Sequence, residues 1–302
     1  MLCRSDCVII GGLFSGHIFD MTASPTLLLF IYCIAIACFS LAGGLLPNWV
    51  KMTHTRTQTV MSLVSGLMLG VAFYHLLPHS IAVGGGSVDR AVWWVMLGLI
   101  TMLLLLRMFH FHQHDFSGEE EAHHDHGHHH HGGADVHSLS WVGIAFGLAL
   151  HTLIDGVALG AVMLGEASDH GHGVTALAGF GVFLAILLHK PLDAMSITTI
   201  MEAGGWGKGA RATTNLVFAF MCPLGALLFF FGVDLLATDS DLIVSAALAF
   251  SAGAFICIAL GDLLPEVHFH SHDRGRLTLA FLLGILVAYG IGMFEPATLH
   301  QR

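Results

Sequence analysis

Two copies of one pattern, His-x-x-x-Asp, lie inside strongly apolar stretches: His151-Thr-Leu-Ile-Asp155 and His189-Lys-Pro-Leu-Asp193. Residues four apart share a helix face, so two such helices side by side would bring two imidazoles and two carboxylates to one point. Imidazole nitrogen and carboxylate oxygen are the donors that Zn²⁺ and its divalent neighbours accept, usually four of them in a tetrahedron. Ionisable side chains at bilayer depth cost about 2.5–3.5 kcal/mol each on insertion scales. One such His reads as a satisfied core residue, but four residues at matched spacing point to a task. The donors bind metal in their deprotonated forms, so binding is expected to weaken in acid.

Lys190 adjoins His189 and leaves three readings open. Its ammonium neutralises carboxylate charge at the site, or it takes the place of a second metal and repels one, or it points away and pairs elsewhere. Thr152 stands in the corresponding place after His151. Pro191 lacks a backbone donor and is expected to loosen the helix beside the site.

The elements that must position these residues are membrane helices. The chain has 302 residues, 55% hydrophobic and 11% charged, with a mean hydropathy of +0.76. A soluble protein would carry roughly 25% charged residues. Apolar runs long enough to span a bilayer recur through the chain, so the expected fold is an all-α polytopic membrane protein, one transmembrane domain over 1–302. Eight helices are expected near 27–47, 59–80, 91–110, 140–164, 174–201, 212–233, 242–265 and 276–294. The first residues carry no clear signal-peptide pattern. The net charge of −10 resides in loops, and no basic stripe suggests nucleic acid. The expected partners are divalent metal ions and the lipid bilayer, with a homodimer left open. Of the six cysteines, Cys33, Cys38, Cys222 and Cys257 fall in apolar spans, where a small buried hydrophobe is the plain reading. Cys3 and Cys7 are too weakly spaced to argue a disulfide or a metal site.

Lys and Arg set the expected orientation. Lys51, Arg56, Arg107, Lys208, Arg211, Arg274 and Arg276 fall on one side, against Arg4, Arg90 and Arg302 on the other. The first side is therefore expected to be cytoplasmic, with both termini outside it, in a cell membrane (bacterial inner or plasma).

An internal repeat is also visible. SGLMLGVAFYHLLPH at 65–79 aligns without a gap on AGAFICIALGDLLPE at 252–266, an offset of 187. The same offset is expected to carry helix 1 onto helix 6 and helix 3 onto helix 8. Helices 1–3 and 6–8 would then be inverted repeats around helices 4 and 5, an arrangement that places substrate at the repeat interface. The repeat sets His75 and His79 at the outer end of helix 2 and Asp262 and Glu266 at the inner end of helix 7. Each pair is expected to form a two-donor ledge, the inner one extended by His268, His270 and His272. Such ledges suit staging posts at the two mouths of a metal path.

Residues 110–137 hold eleven histidines, among them His123, His124, His126, His128, His129, His130 and His131. With few apolar residues to pack, 111–138 is expected to be a disordered cytoplasmic loop, and His-rich tracts bind metal.

On these residues the chain resembles the ZIP (Zrt/Irt-like) divalent metal transporters over nearly its whole length. The resemblance rests on His151, Asp155 and Gly156 in helix 4, His189 and Asp193 in helix 5, the Leu-Leu-Pro segments of helices 2 and 7, eight spans and the His-rich loop. It implies uptake of Zn²⁺, or of Fe²⁺, Mn²⁺ or Cd²⁺, towards the cytoplasm, with no catalysis, by elevator-like movement of two helix groups. It also implies a binuclear site in some members and places Met68 where some members have a transport-path Met. The chain departs from the family pattern at Thr152, where Asn is frequent, and at Lys190, where an acid is frequent. Pro191 comes one residue earlier than usual. These departures bear on the second metal, not the first.

Two other readings compete. A cation-diffusion-facilitator exporter would typically have six spans and a soluble C-terminal domain. A membrane-embedded zinc hydrolase would need an open coordination position and a nearby base, and the sequence holds no His-Glu-x-x-His.

Overall fold

The computed structural model describes residues 24–46, 54–110, 140–169, 178–236, 239–269 and 274–294, and at some helix ends, 262–269 among them, the backbone alone. The described chain is all-helical, with eight helices long and apolar enough to cross a membrane. They are α1 (Pro25–Leu45), α2, α3 (Val88–His110), α4 (Ser140–Asp169), α5 (Phe180–Ala203), α6 (Lys208–Leu236), α7 (Ser240–Phe269) and α8 (Arg274–Phe294). The helix α2 is a composite of His54–Val71, a π-helical turn Ala72–Leu76 and Leu77–Val83. The His-rich loop 111–138 lies outside the described residues.

Local chemistry sets the ends. Ser24 caps α1, accepting the Leu27 N–H at its Oγ (3.2 Å), with Pro25 in the first turn. The α5 helix starts at Phe180, six residues later than the hydropathy suggests, because Gly179 takes a left-handed φ of 62° there. In α2 the wide turn sits just before Pro78, which has no N–H for the Tyr74 carbonyl. A π turn absorbs such a defect without ending the helix.

The helices pair lengthwise: α2 along α8, α3 along α7, α1 along α5 and α4 along α6. A two-fold exchange of helices 1–3 with 6–8, and of 4 with 5, turns the first of these pairings into the second and the third into the fourth. Glycines show the exchange residue by residue. A Cβ at Gly66 would strike the Phe281 carbonyl, and one at Gly253 the Val95 carbonyl. A Cβ at Gly284 would strike the Leu63 carbonyl, and one at Gly98 the Phe250 carbonyl. Close backbone approach through small residues is how apolar helices gain packing in lipid. These contacts also correct the repeat. Gly66 and Leu63 map onto Gly253 and Phe250 at an offset of 187, but Val95 and Gly98 map onto Phe281 and Gly284 at 186. The stretch from Gly66 to Val95 is therefore one residue longer than the matching stretch from Gly253 to Phe281.

Two helix groups result, α1, α4, α5 and α6 in one and α2, α3, α7 and α8 in the other, each packed more closely within itself than against its neighbour. Polar ties reinforce the groups at one end. Arg276 donates from Nη2 to Thr59 Oγ1 (2.9 Å), joining α8 to α2, and Arg211 pairs with Glu202 across the α5–α6 turn (2.6 Å). The outer faces of α3 and α8 expose Trp93, Leu104, Leu279 and Leu286, an apolar surface suited to lipid.

The glycine contacts make a test. Gly253→Val forces α7 off the Val95 backbone, and overpacking of this kind costs about 1–3 kcal/mol. It should lower the thermal unfolding midpoint in detergent, whereas Gly290→Ala, where nothing lies within 4 Å, should not. Equal midpoints for the two variants would remove the close-packed α3–α7 seam.

Candidate metal centre

The site lies where α4 and α5 face each other. Each helix carries its His and Asp one turn apart, so the four side chains converge as helical periodicity requires. His151, Asp155, His189 and Lys190 are buried, at 5%, 0%, 5% and 1% exposure. Asp155 is the hub. Its Oδ2 lies 3.3 Å from His151 Nε2 and 3.1 Å from His189 Nε2. The donor atoms of His151, Asp155 and His189 all fall within 4.8 Å of one another, the compact three-donor group among the described residues. Asp193 is the outer member. Its Oδ2 is 3.5 Å from His151 Nε2 and 3.8 Å from His189 Nε2, and its side chain is one-fifth exposed.

Backbone packing explains how α4 and α6 can meet here. A Cβ at Gly156, next to Asp155, would strike the Cys222 carbonyl, and one at Gly225 would strike the Leu153 carbonyl. On the other flank, α5 continues unbroken through Pro191, which removes the N–H due to the Leu187 carbonyl. Gly43 of α1 lets the Pro191 backbone come close.

The hydrogen bonds fix the chemistry of His189. Its Nδ1 lies 2.7 Å from the Ala185 carbonyl. A carbonyl only accepts, so Nδ1 carries the proton and, in the neutral ring, Nε2 presents a lone pair. That lone pair faces another acceptor, Asp155 Oδ2. Two acceptors at 3.1 Å call for a cation beside them. A metal-ligating His characteristically donates its second N–H to a backbone carbonyl in this way. Asp155 Oδ1 and His151 Nδ1 are buried without a hydrogen-bond partner among the described residues, which leaves donor capacity at the site.

Lys190 supplies one cation. Its Nζ donates to Asp155 Oδ2 (2.5 Å), to Asp193 Oδ2 (3.1 Å) and to Thr152 Oγ1 (3.1 Å). Of the three readings open from sequence, the geometry matches an ammonium seated among the carboxylates rather than one turned away. The Phe218 ring of α6 lies 5.9 Å from Nζ, a neighbour that sequence reasoning missed because an aromatic in an apolar span carries no distinguishing signal.

The other sequence candidates are placed apart. Met68 is fully buried in the apolar core. His75 and His79 are buried but turn to different neighbours. His75 Nε2 is 2.9 Å from the Ala288 carbonyl of α8, and its ring lies over Gly181 of α5. His79 lies against Gly165 of α4. Asp262, Glu266 and His268 lie on the α7 backbone with side chains outside the described residues, as are His270 and His272 entirely. His123, His124, His126, His128, His129, His130 and His131 also lie outside them.

Comparison with known proteins points to one family. The family model described as ZIP Zinc transporter matches residues 106–294, which contain both His-x-x-x-Asp helices. "Zinc transporter ZIP9-B" of Xenopus laevis is 34% identical over 155 residues, 47% of this chain and 48% of the relative. "Zinc transporter ZIP9" of Micropogonias undulatus is 32% identical over 160 residues, 51% and 49% of the two chains. "Zinc transporter foi" of Drosophila melanogaster is 29% identical over 154 residues, 51% of this chain and 20% of the relative. The chain thus spans about half the length of the ZIP9 relatives it matches. With the model covering well over half of its residues, the chain belongs to the ZIP zinc transporter family.

Proposed function

We propose that this protein carries a divalent transition metal, Zn²⁺ first among them, across a cell membrane into the cytoplasm through the His151, Asp155, His189 and Asp193 site. The observation that carries the reading is the triple convergence on Asp155 Oδ2, with two imidazole nitrogens and one ammonium within 3.3 Å of a single buried oxygen. Imidazole nitrogen with carboxylate oxygen suits Zn²⁺, and Fe²⁺, Mn²⁺ and Cd²⁺ are the natural competitors. Zinc transport is also what the names of the matched relatives state.

Lys190 gives the site a one-metal character. Two unit charges about 4 Å apart interact by about 4 kcal/mol at an effective dielectric of 20, so an ammonium at this place opposes a second divalent ion. It also competes with the first for Asp155. Alternating access supplies the movement. The central donors are shared by α4 and α5 of one helix group, and the other group, with α2 and α7, forms the wall past which metal enters and leaves. His75 and His79 serve the outer approach, with Met68 deeper along it. Asp262 and Glu266, with His268, His270 and His272 beyond them, serve the inner one. The His-rich loop binds metal on the cytoplasmic side. The charge bias puts both termini outside the cytoplasm.

The test is uptake of ⁶⁵Zn²⁺ into sealed proteoliposomes of known orientation, with Fe²⁺, Mn²⁺ and Cd²⁺ as competitors. Accumulation in the cytoplasm-facing direction that disappears in His189→Ala and Asp155→Ala supports the site; full uptake by those variants removes it. Uptake should also fall as the medium is acidified, because protons compete for imidazole and carboxylate.

Lys190→Gln deletes the competing cation. Zn²⁺ binding measured by calorimetry should tighten by about tenfold or more, in line with the charge interaction above, and turnover should slow as release becomes harder. Unchanged affinity would mean that the ammonium does not contend for the metal's place. Deletion of 115–135 should leave part of the flux, since the segment lies between spans; complete loss in a folded deletion would place the loop in the path itself.

A further inference from the structure

Ser40 and Asn215 are polar residues inside the bundle that the path above does not use. Ser40 Oγ and Asn215 Oδ1 are buried, in residues 1% and 4% exposed, and neither atom has a hydrogen-bond partner among the described residues. Their placement ties them to the metal centre. On α1, Gly43 and Gly44 sit side by side. A Cβ at Gly43 would strike the Pro191 backbone, and one at Gly44 the Asn215 amide. Ser40 lies one turn before both glycines, on the α1 face that looks towards α5 and α6. Asn215 donates from Nδ2 to the Leu41 carbonyl (3.1 Å). A carbonyl requires the amide NH₂ on that side, so the amide is oriented and Oδ1 is the group left over.

Two buried oxygens without donors are complemented by a cation or a donor. Two cations lie in this part of the fold: Arg211, one turn before Asn215 on α6 and already paired with Glu202, and Lys190, which precedes Pro191 and has no partner outside the metal centre among its hydrogen bonds. Lys190 Nζ stands 5.9 Å from the Phe218 ring, and Phe218 lies one turn from Asn215 on α6. An aromatic face is a favourable surface for an ammonium to cross.

We propose that Ser40 and Asn215 form a second berth for the Lys190 ammonium, taken up when a divalent cation occupies Asp155 and Asp193. The inference rests on the central site proposed above. A metal on Asp155 Oδ2 and an ammonium on the same oxygen repel each other, and the ammonium cannot move into lipid. A flexible four-carbon stem lets Nζ swing while the backbone stays in place. Lys190 then acts as a tethered counter-ion. It retreats past Phe218 when metal arrives and returns to the carboxylates when metal leaves, with no proton gained or lost. The berth sets how readily the site gives up its own cation, and therefore how tightly it holds metal.

The test is calorimetric Zn²⁺ binding to the purified full-length protein in detergent, for Ser40→Ala, Asn215→Leu and Asn215→Asp, each made with Lys190 present and in Lys190→Gln. With Lys190 present, Ser40→Ala and Asn215→Leu should weaken binding by about five- to tenfold, the range of coupled neighbours. Asn215→Asp should tighten it, because a carboxylate in the berth draws the ammonium off Asp155. In Lys190→Gln all three effects should vanish. Effects of equal size in both backgrounds would overturn the proposal and leave the pair a structural or water-filled role. Ser40→Ala alone decides the matter if the Asn215 variants fail to fold. Absence of Zn²⁺ binding in the unmodified protein would instead sink the central site, a distinguishable result.

Discussion

An ammonium held between two carboxylates inside a membrane protein is the interaction around which this structure is organised. Neither charge type is tolerated alone at such depth. Breaking a buried pair by removing one partner leaves an uncompensated charge, at about 3–5 kcal/mol. Asp155 therefore needs Lys190 or another cation at all times, and so does Lys190 need its acids. Asp155 and Asp193 carry two negative charges against the single positive charge of Lys190. In the proposed function a divalent ion would match the two carboxylates better than the ammonium does, which is the charge balance that the exchange requires. Lysine fits this role where arginine would not. A compact point charge on a flexible stem can leave, whereas a planar guanidinium locked in paired hydrogen bonds gives up more on departure.

Everything that brings Asp155 and Lys190 together is small or backbone-lined. Gly156 and Gly225 let α4 and α6 touch, and Gly43 admits the Pro191 backbone to α1. Apolar side chains give helices no reason to associate in lipid, whose tails are equally apolar. Close van der Waals approach through glycine does. The site thus lies between two close seams, α4 with α6 and α1 with α5, and the imidazole of His189 is oriented by its own helix through the Ala185 carbonyl. Seating of this kind holds the donor atoms of His151, Asp155 and His189 in one cluster rather than spread along a groove.

Much of this was legible in the sequence. Hydropathy located eight spans, and a spacing of four placed His151 with Asp155 and His189 with Asp193, because both signals depend on helical periodicity alone. What escaped depends on how helices meet. Periodicity sets the Cα of Lys190 about 100° round the helix from His189, yet the long stem brings Nζ back to Asp155. Only the structure reports that choice. The π turn of α2 arises from a local defect at Pro78 that hydropathy does not register. It accompanies the divergence of His75 and His79, which a plain α-helix would put on one ledge. The repeat offset of 186 between α3 and α8 was hidden because an apolar helix aligns on another almost equally well at neighbouring registers. Asn215 follows Arg211, Thr213 and Thr214 at the polar start of its span, where an amide does not stand out, and serine is common in membrane helices, so neither Asn215 nor Ser40 carried a distinguishing signal.

The same packing determines which movements are cheap. Within the α2, α3, α7 and α8 group, helices meet backbone to backbone at Gly66, Gly98, Gly253 and Gly284. Sliding α2 along α8 would separate surfaces in close contact and expose the gap each glycine leaves. Across the boundary, α4 packs on α7 and the His54–Val71 part of α2 packs on α5, while the imidazoles of His75 and His79 rest on Gly181 and Gly165. A side chain with two rotatable bonds can follow or leave a glycine at the cost of a rotamer change, whereas a helix backbone cannot. Packing between the groups is thinner than packing within either, so movement between them disturbs less contact. Asp155 and Lys190 lie on the same side of that boundary, so the groups can shift while the buried ion pair stays intact.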